Sequence, residues 1–173
     1  MTKVIIYGPP QRWMRPAQGR RRNGSVVRIT DKKMAAAKDM ISRKLADMHQ
    51  GDPWTGPVAL RFVAVFAIPD SWPQKLKDAA RDGRVAHIAD PDLDQLIKLA
   101  KDAASGIVYE DDNQVCMYVG PPGSHGPAKR YGFPERTEIE FIRINQDPDA
   151  ITPGQRRVVK RQRERLVKDF AAP

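Results

Sequence analysis

The chain has 173 residues and a formal net charge of +9, from 30 Lys and Arg against 21 Asp and Glu. Apolar residues make up 40%, which excludes a wholly disordered chain and suits one domain with a real core. The longest apolar stretch, Val58 to Ile68, carries Arg61 and is too short to span a bilayer.

Along the chain, Val4–Tyr7 reads as a short strand stopped by Gly8-Pro9-Pro10. Residues 9–24 read as a loop holding Arg12, Trp13, Arg15, Arg20, Arg21 and Arg22. Ser25–Ile29 suits a second strand. Thr30 or Asp31 can cap a helix running to about His49, with Met34, Ala37, Ile41, Leu45 and Met48 on one face. Val58–Ile68 is apolar on both alternating faces, the pattern of a central strand buried on both sides. Gln74–Arg81 predicts a short polar helix ended by Gly83, and Pro91–Ser105 a longer one with Gly106 beyond its end.

Gln114–Val119 and Arg136–Ile144 read as strands. Between them, Gly120–Pro134 reads as a Gly/Pro-rich loop carrying Lys129 and Arg130. Residues 147–173 read as a linker and a basic helical tail. The fold class expected is α/β or α+β: a single compact mixed sheet with helices packed on it, spanning 1–146. No signal peptide is visible. Cys116, the one cysteine, excludes an internal disulfide, fits a reducing compartment and reads as a packed thiol in a strand. Three scattered histidines lack the spacing of zinc ligands.

The charge is unevenly placed. Residues 1–50 carry 12 basic and 3 acidic side chains, residues 51–146 carry 11 and 14, and residues 147–173 carry 7 and 4. Basic flanks suit a polyanion such as nucleic acid. An acidic centre repels phosphate unless a divalent cation lies between them. The densest acidic set is Asp90, Asp92 and Asp94, followed by Glu110, Asp111 and Asp112. The two groups meet only if the chain turns at Gly106 and runs back along the helix. Converging carboxylates suit Mg²⁺, with Mn²⁺ as a substitute. Each part also has a plain structural reading. Asp92 with Gln95 makes a capping box, Asp111-Asp112 a turn, and Asp94 with Lys98 a surface ion pair.

Asp92-Leu93-Asp94-Gln95-Leu96-Ile97-Lys98, Lys101-Asp102-Ala103 and Gly106 to Val115 closely resemble the RusA family of Holliday junction resolvases. Gly8-Pro9-Pro10, Ile68 to Pro73 and Lys129-Arg130-Tyr131-Gly132 are similar to that family too, so the resemblance covers roughly 3–145. It implies a small homodimeric α/β endonuclease of bacteria and their phages, hence cytoplasmic, that uses Mg²⁺ to cut four-way DNA junctions in recombination and repair. By position it implies Asp92, Asp94 and Asp112 as metal ligands, with Asp111 as a further candidate, and Lys98 as the catalytic lysine. Arg12, Arg15, Arg20, Arg21, Arg22, Lys129 and Arg130 are the candidate DNA contacts. Gln95 stands where the family usually has Asn, and Ile88-Ala89-Asp90 where basic residues are common. Two other readings stay open: a branched-DNA-binding protein of this fold that cuts weakly, and another Mg²⁺ enzyme with Asp-x-Asp chemistry, such as a transferase.

Overall fold

The computed structural model describes residues 1–20, 22–23, 25–120 and 127–145. Arg21 and the basic tail predicted over 147–173 lie outside the described residues. In chain order the elements are β1 (Thr2–Tyr7), β2 (Ala17–Arg20), β3 (Val26–Ile29), α1 (Lys32–Met48), β4 (Val58–Phe66) and α2 (Gln74–Arg81). They continue with α3 (Leu93–Ala104), a 3₁₀ turn (Asp112–Gln114), β5 (Val115–Val119), β6 (Lys129–Tyr131) and β7 (Arg136–Arg143).

One mixed sheet organises the domain, in the order β1-β7-β4-β5, with β6 beside the far end of β4. β7 runs antiparallel to β1 and β4, while β5 and β6 run parallel to β4. This is the mixed sheet expected. β4 is central because it is apolar on both faces; seven of its nine residues are buried. Val58, Leu60, Phe62 and Ala64, with Val4, Ile139 and Phe141, meet α1 and α3 in the main core. The alternate residues of β4, among them Arg61, Val63 and Val65, point to the other face.

The Asp31 carboxylate accepts from the Met34 N–H and so fixes the start of α1. Met34, Ile41 and Leu45 are buried, each contributing about 1.5–3 kcal/mol by leaving water. Met48 departs from expectation: it is 59% exposed, three residues beyond the fully buried Leu45 that ends the core-facing stripe.

Three further expectations are corrected. The loop over 9–24 contains β2, which pairs with β3 in a separate two-stranded ribbon. The loop over 120–134 contains β6. Cys116 is exposed, because β5 is an edge strand, although its thiol still reaches the Val58 carbonyl oxygen at 3.8 Å. Among the described residues no helix is long and apolar enough to cross a membrane.

Candidate active site

Helix α3 carries the candidate residues on its outer side because its inner side is occupied. Leu96, Leu99, Ala100, Ala103 and Ala104 are buried against the sheet and α1. Asp92 is the N-cap; its carbonyl oxygen accepts from Leu96 at 3.3 Å, but its carboxylate makes no capping bond. The capping box predicted for Asp92 and Gln95 is therefore not formed. The carboxylates of Asp92 and Asp94 stand exposed in the first turn, where the helix dipole favours negative charge.

The chain reverses after α3, which is the condition for the two acidic groups to approach, though it does so through turns and not as an extended strand. Gly106 takes φ +76°, a left-handed conformation that only glycine adopts without strain, and its N–H donates to the Tyr109 carbonyl oxygen at 2.7 Å. Tyr109 is fully buried, and its hydroxyl donates to the Lys101 carbonyl oxygen at 2.9 Å. Burial, with the negative charge of Asp112 nearby, pushes the Tyr109 hydroxyl well above its ordinary pKa, so it stays protonated as a donor.

The reversal brings Asp112 to the helix, with its carboxylate 3.7 Å from the Lys101 ammonium. Lys101 lies seven residues beyond Asp94, about 10 Å along the axis. Asp112 thus reaches the same helix but not the same turn as Asp92 and Asp94. Among the described residues no three of His, Cys, Asp and Glu stand close enough to hold one metal ion. Asp111 is committed to the turn: its carboxylate accepts from Asn113 at 2.9 Å, and its own N–H donates to Gln114 Oε1 at 2.8 Å. That is the turn reading of Asp111, and it leaves Asp112 as the better-placed carboxylate of the pair. Beside them, Glu110 Oε2 is buried with no hydrogen-bond partner among the described residues.

The basic residues are distributed differently from the sequence expectation. Arg12 does not project freely; its guanidinium grips both oxygens of Asp90, at 2.5 and 2.6 Å. The Trp13 N–H donates to the Gln95 carbonyl oxygen at 3.0 Å, and the Lys98 ammonium lies 4.6 Å from the Trp13 ring centroid. Arg15, Arg20 and Arg22 are exposed and make no ion pair among the described residues.

Lys129 and Arg130, adjacent in sequence, point to opposite faces because side chains alternate along a strand. Lys129, opposite Ala64, turns toward α3 and donates to the carbonyl oxygens of Ala89 and Pro91, the latter at 2.6 Å. Arg130, opposite Val65, lines a cavity of about 340 Å³ on the other face and packs over Gly83. His87 stacks on Phe66 with ring centroids 3.9 Å apart, and its Nδ1 is buried without a partner among the described residues. Burial, helped by the charge of Lys129, lowers its pKa, so the ring is neutral.

Sequence reasoning missed the Lys101–Asp112 contact and the seat of Lys98 on Trp13. Lys101 lies within the motif block, but one turn beyond Lys98. Trp13 lies inside the arginine run, 85 residues before Lys98, and no local pattern links the two.

Two comparisons with known proteins bear on the family of this chain. The "Uncharacterized protein YqaN" of Bacillus subtilis (strain 168) is 32% identical over 116 residues, covering 65% of this chain and 80% of that protein. The family described as "Endodeoxyribonuclease RusA" matches residues 8–141, a span that includes every candidate carboxylate, Lys98 and the Trp13 loop. On that match over most of its length, the chain belongs to the RusA endodeoxyribonuclease family.

Proposed function

We propose that the protein is a Mg²⁺-dependent endonuclease that resolves four-way DNA junctions as a homodimer. The observation that carries this reading is the outer side of α3 in a chain of this family. Two exposed carboxylates, Asp92 and Asp94, stand at its start, Lys98 follows one turn later, and the returning segment brings Asp112 beside Lys101.

The donor chemistry suits Mg²⁺, and Mn²⁺ in its place: carboxylate oxygens are hard ligands, and those of Asp92 and Asp94 make no other hydrogen bond among the described residues. Asp92, Asp94 and Asp112 would hold the ion. They do not converge as they stand, so this ligand set is part of the proposal. When bound, the ion supplies positive charge at the scissile phosphate and lowers the pKa of water.

The remaining steps fall to the chain itself. Lys98 offers a positive charge one turn from the carboxylates and stabilises the extra negative charge on phosphorus-bound oxygen. Arg15, Arg20 and Arg22 grip the backbone without reading sequence. Two copies related by a two-fold axis would present two such centres to a symmetric junction.

The separation of Asp112 from Asp94 favours a second reading, a branched-DNA-binding protein that cuts weakly. Incubating the protein with a four-way junction and a linear duplex of the same sequence, in Mg²⁺ and in EDTA, decides between them. The proposal expects symmetric nicks in the junction in Mg²⁺ only. Tight junction binding without nicks in either condition would establish the second reading.

A further inference from the structure

We propose that Trp13 is the positioning residue for Lys98, holding its ammonium in place while leaving its charge and its N–H donors for a DNA phosphate. This rests on the reading of Lys98 given above and extends it to a residue outside the acidic motif.

The contact is a cation over an indole face, 4.6 Å from the ring centroid. Lysine is a flexible four-carbon stem, and Lys98 is exposed, so its head needs a fixed partner to stay in one place. The ring is such a partner because the chain on both sides of it is tied down. The Trp13 N–H donates to the Gln95 carbonyl oxygen at 3.0 Å, and the ring packs against the main core. The preceding residue, Arg12, is bound to Asp90 at 2.5 Å. The N–H of the following residue, Met14, donates to Met34 Sδ at 2.9 Å. Three consecutive residues thus anchor to the turn before α3, to α3 itself and to α1.

The chemistry of the partner matters as much as its rigidity. A carboxylate in the same place would neutralise Lys98 and occupy its donors. Asp94, four residues earlier on the helix, is not within ion-pair distance of Lys98. An aromatic face attracts the cation through its quadrupole and accepts no conventional hydrogen bond, so all three ammonium donors remain available to phosphate oxygens. Trp13 itself does not touch the reacting atoms.

The test compares Trp13→Phe with Trp13→Leu in the full-length protein. Both keep an apolar group against the core, and only Phe keeps a π face. The readouts are the single-turnover cleavage rate of a four-way junction in saturating Mg²⁺ and junction affinity in EDTA. Trp13→Leu is expected to lower the rate at least tenfold with affinity within twofold of the parent. Trp13→Phe is expected to stay within threefold of the parental rate.

A second measurement does not depend on cleavage. With Trp54→Phe and Trp72→Phe, Trp13 is the only indole left, and Lys98→Met is expected to shift its emission maximum. Equal rates for the Phe and Leu variants, or an unchanged emission maximum, would overturn the proposal. If both variants cut at the parental rate while Lys98→Met is inactive, the positioning role alone fails. If Lys98→Met cuts at the parental rate, the reading of Lys98 fails and the proposal fails with it.

Discussion

Lys129 donates from its ammonium to the carbonyl oxygen of Pro91 at 2.6 Å, although 38 residues separate the two. The same ammonium also reaches the Ala89 carbonyl oxygen. The backbone alongside is held as well, since His87 N–H donates to the Lys129 carbonyl oxygen at 3.0 Å. Edge strand β6 therefore fixes the turn from which α3 starts, and with it the direction in which Asp92 and Asp94 leave the fold.

Replacing Lys129 with Met keeps the stem and removes these bonds. Hydrogen bonds to charged groups contribute about 1.5–3 kcal/mol each, less where they are partly solvated. We expect a loss of about 1–2 kcal/mol in urea unfolding. Junction cleavage should fall further than this loss of stability accounts for, because the carboxylates are no longer held in place. A cleavage rate equal to the parent's would show that the turn needs no such tie.

Arg61 and Glu140 form an ion pair across β4 and β7, with side chains 21% and 7% exposed. Arg61 Nε also donates to the Gly120 carbonyl oxygen at 3.0 Å. Arg61→Met leaves a buried carboxylate without its counter-charge, at a cost of about 3 kcal/mol. The double variant Arg61→Met with Glu140→Leu should recover most of that. Denaturant midpoints for the parent, Arg61→Met and the double variant check this, and a double variant no more stable than Arg61→Met would contradict it.

His87 gives the fold a pH dependence whose sign follows from its burial. Its folded pKa lies below the ordinary 6.5, so the unfolded chain binds the proton more tightly. The stability this contributes is fully present above about pH 6.5 and is lost as pH falls through the folded value. His87→Phe keeps the stack on Phe66 and cannot be protonated. Melting temperatures between pH 7.5 and 5 should fall less steeply for that variant than for the parent.

The acidic and basic members of the candidate site should separate binding from cutting. Asp94→Asn removes one negative charge, so cleavage should be lost while junction affinity in EDTA is kept or rises. Lys98→Ala should also lose cleavage, without that gain in affinity. Asp94→Asn cutting near the parental rate would make these carboxylates a helix start and nothing more.

The parts of the fold legible in the sequence were those whose signals are local. Asp31 with the apolar stripe behind it marks α1, the two-faced apolar run marks β4, and Gln74–Arg81 is bounded as read. β2 was not legible because Ala17-Gln18-Gly19-Arg20 has no apolar alternation; it is held by pairing with β3, not by burial. The reversal at Gly106 was readable, but how far back it carries Asp112 was not. That distance depends on where the Tyr109 ring is buried and on its bond to Lys101, a tertiary outcome. Likewise the sequence groups Arg12 with the free arginines, and only the fold brings Asp90, 78 residues away, within reach of it.

The register of β1 against β7 sets Thr2 opposite Phe141 and Tyr7 opposite Arg136. The first strand described is therefore completed by the last one described. At typical synthesis rates of about 5–20 residues per second, roughly 7–27 seconds separate the two. Throughout that interval Val4 and Ile6 have no strand to join, and β4, from the time it is made, waits for β7 to cover its open side. Contacts this distant in sequence make folding slow relative to local helix formation. β5 and β6 are made before β7 and can join β4 earlier, but the β7 edge of β4 stays open to the end, so growth temperature and synthesis rate should influence how much soluble protein is recovered.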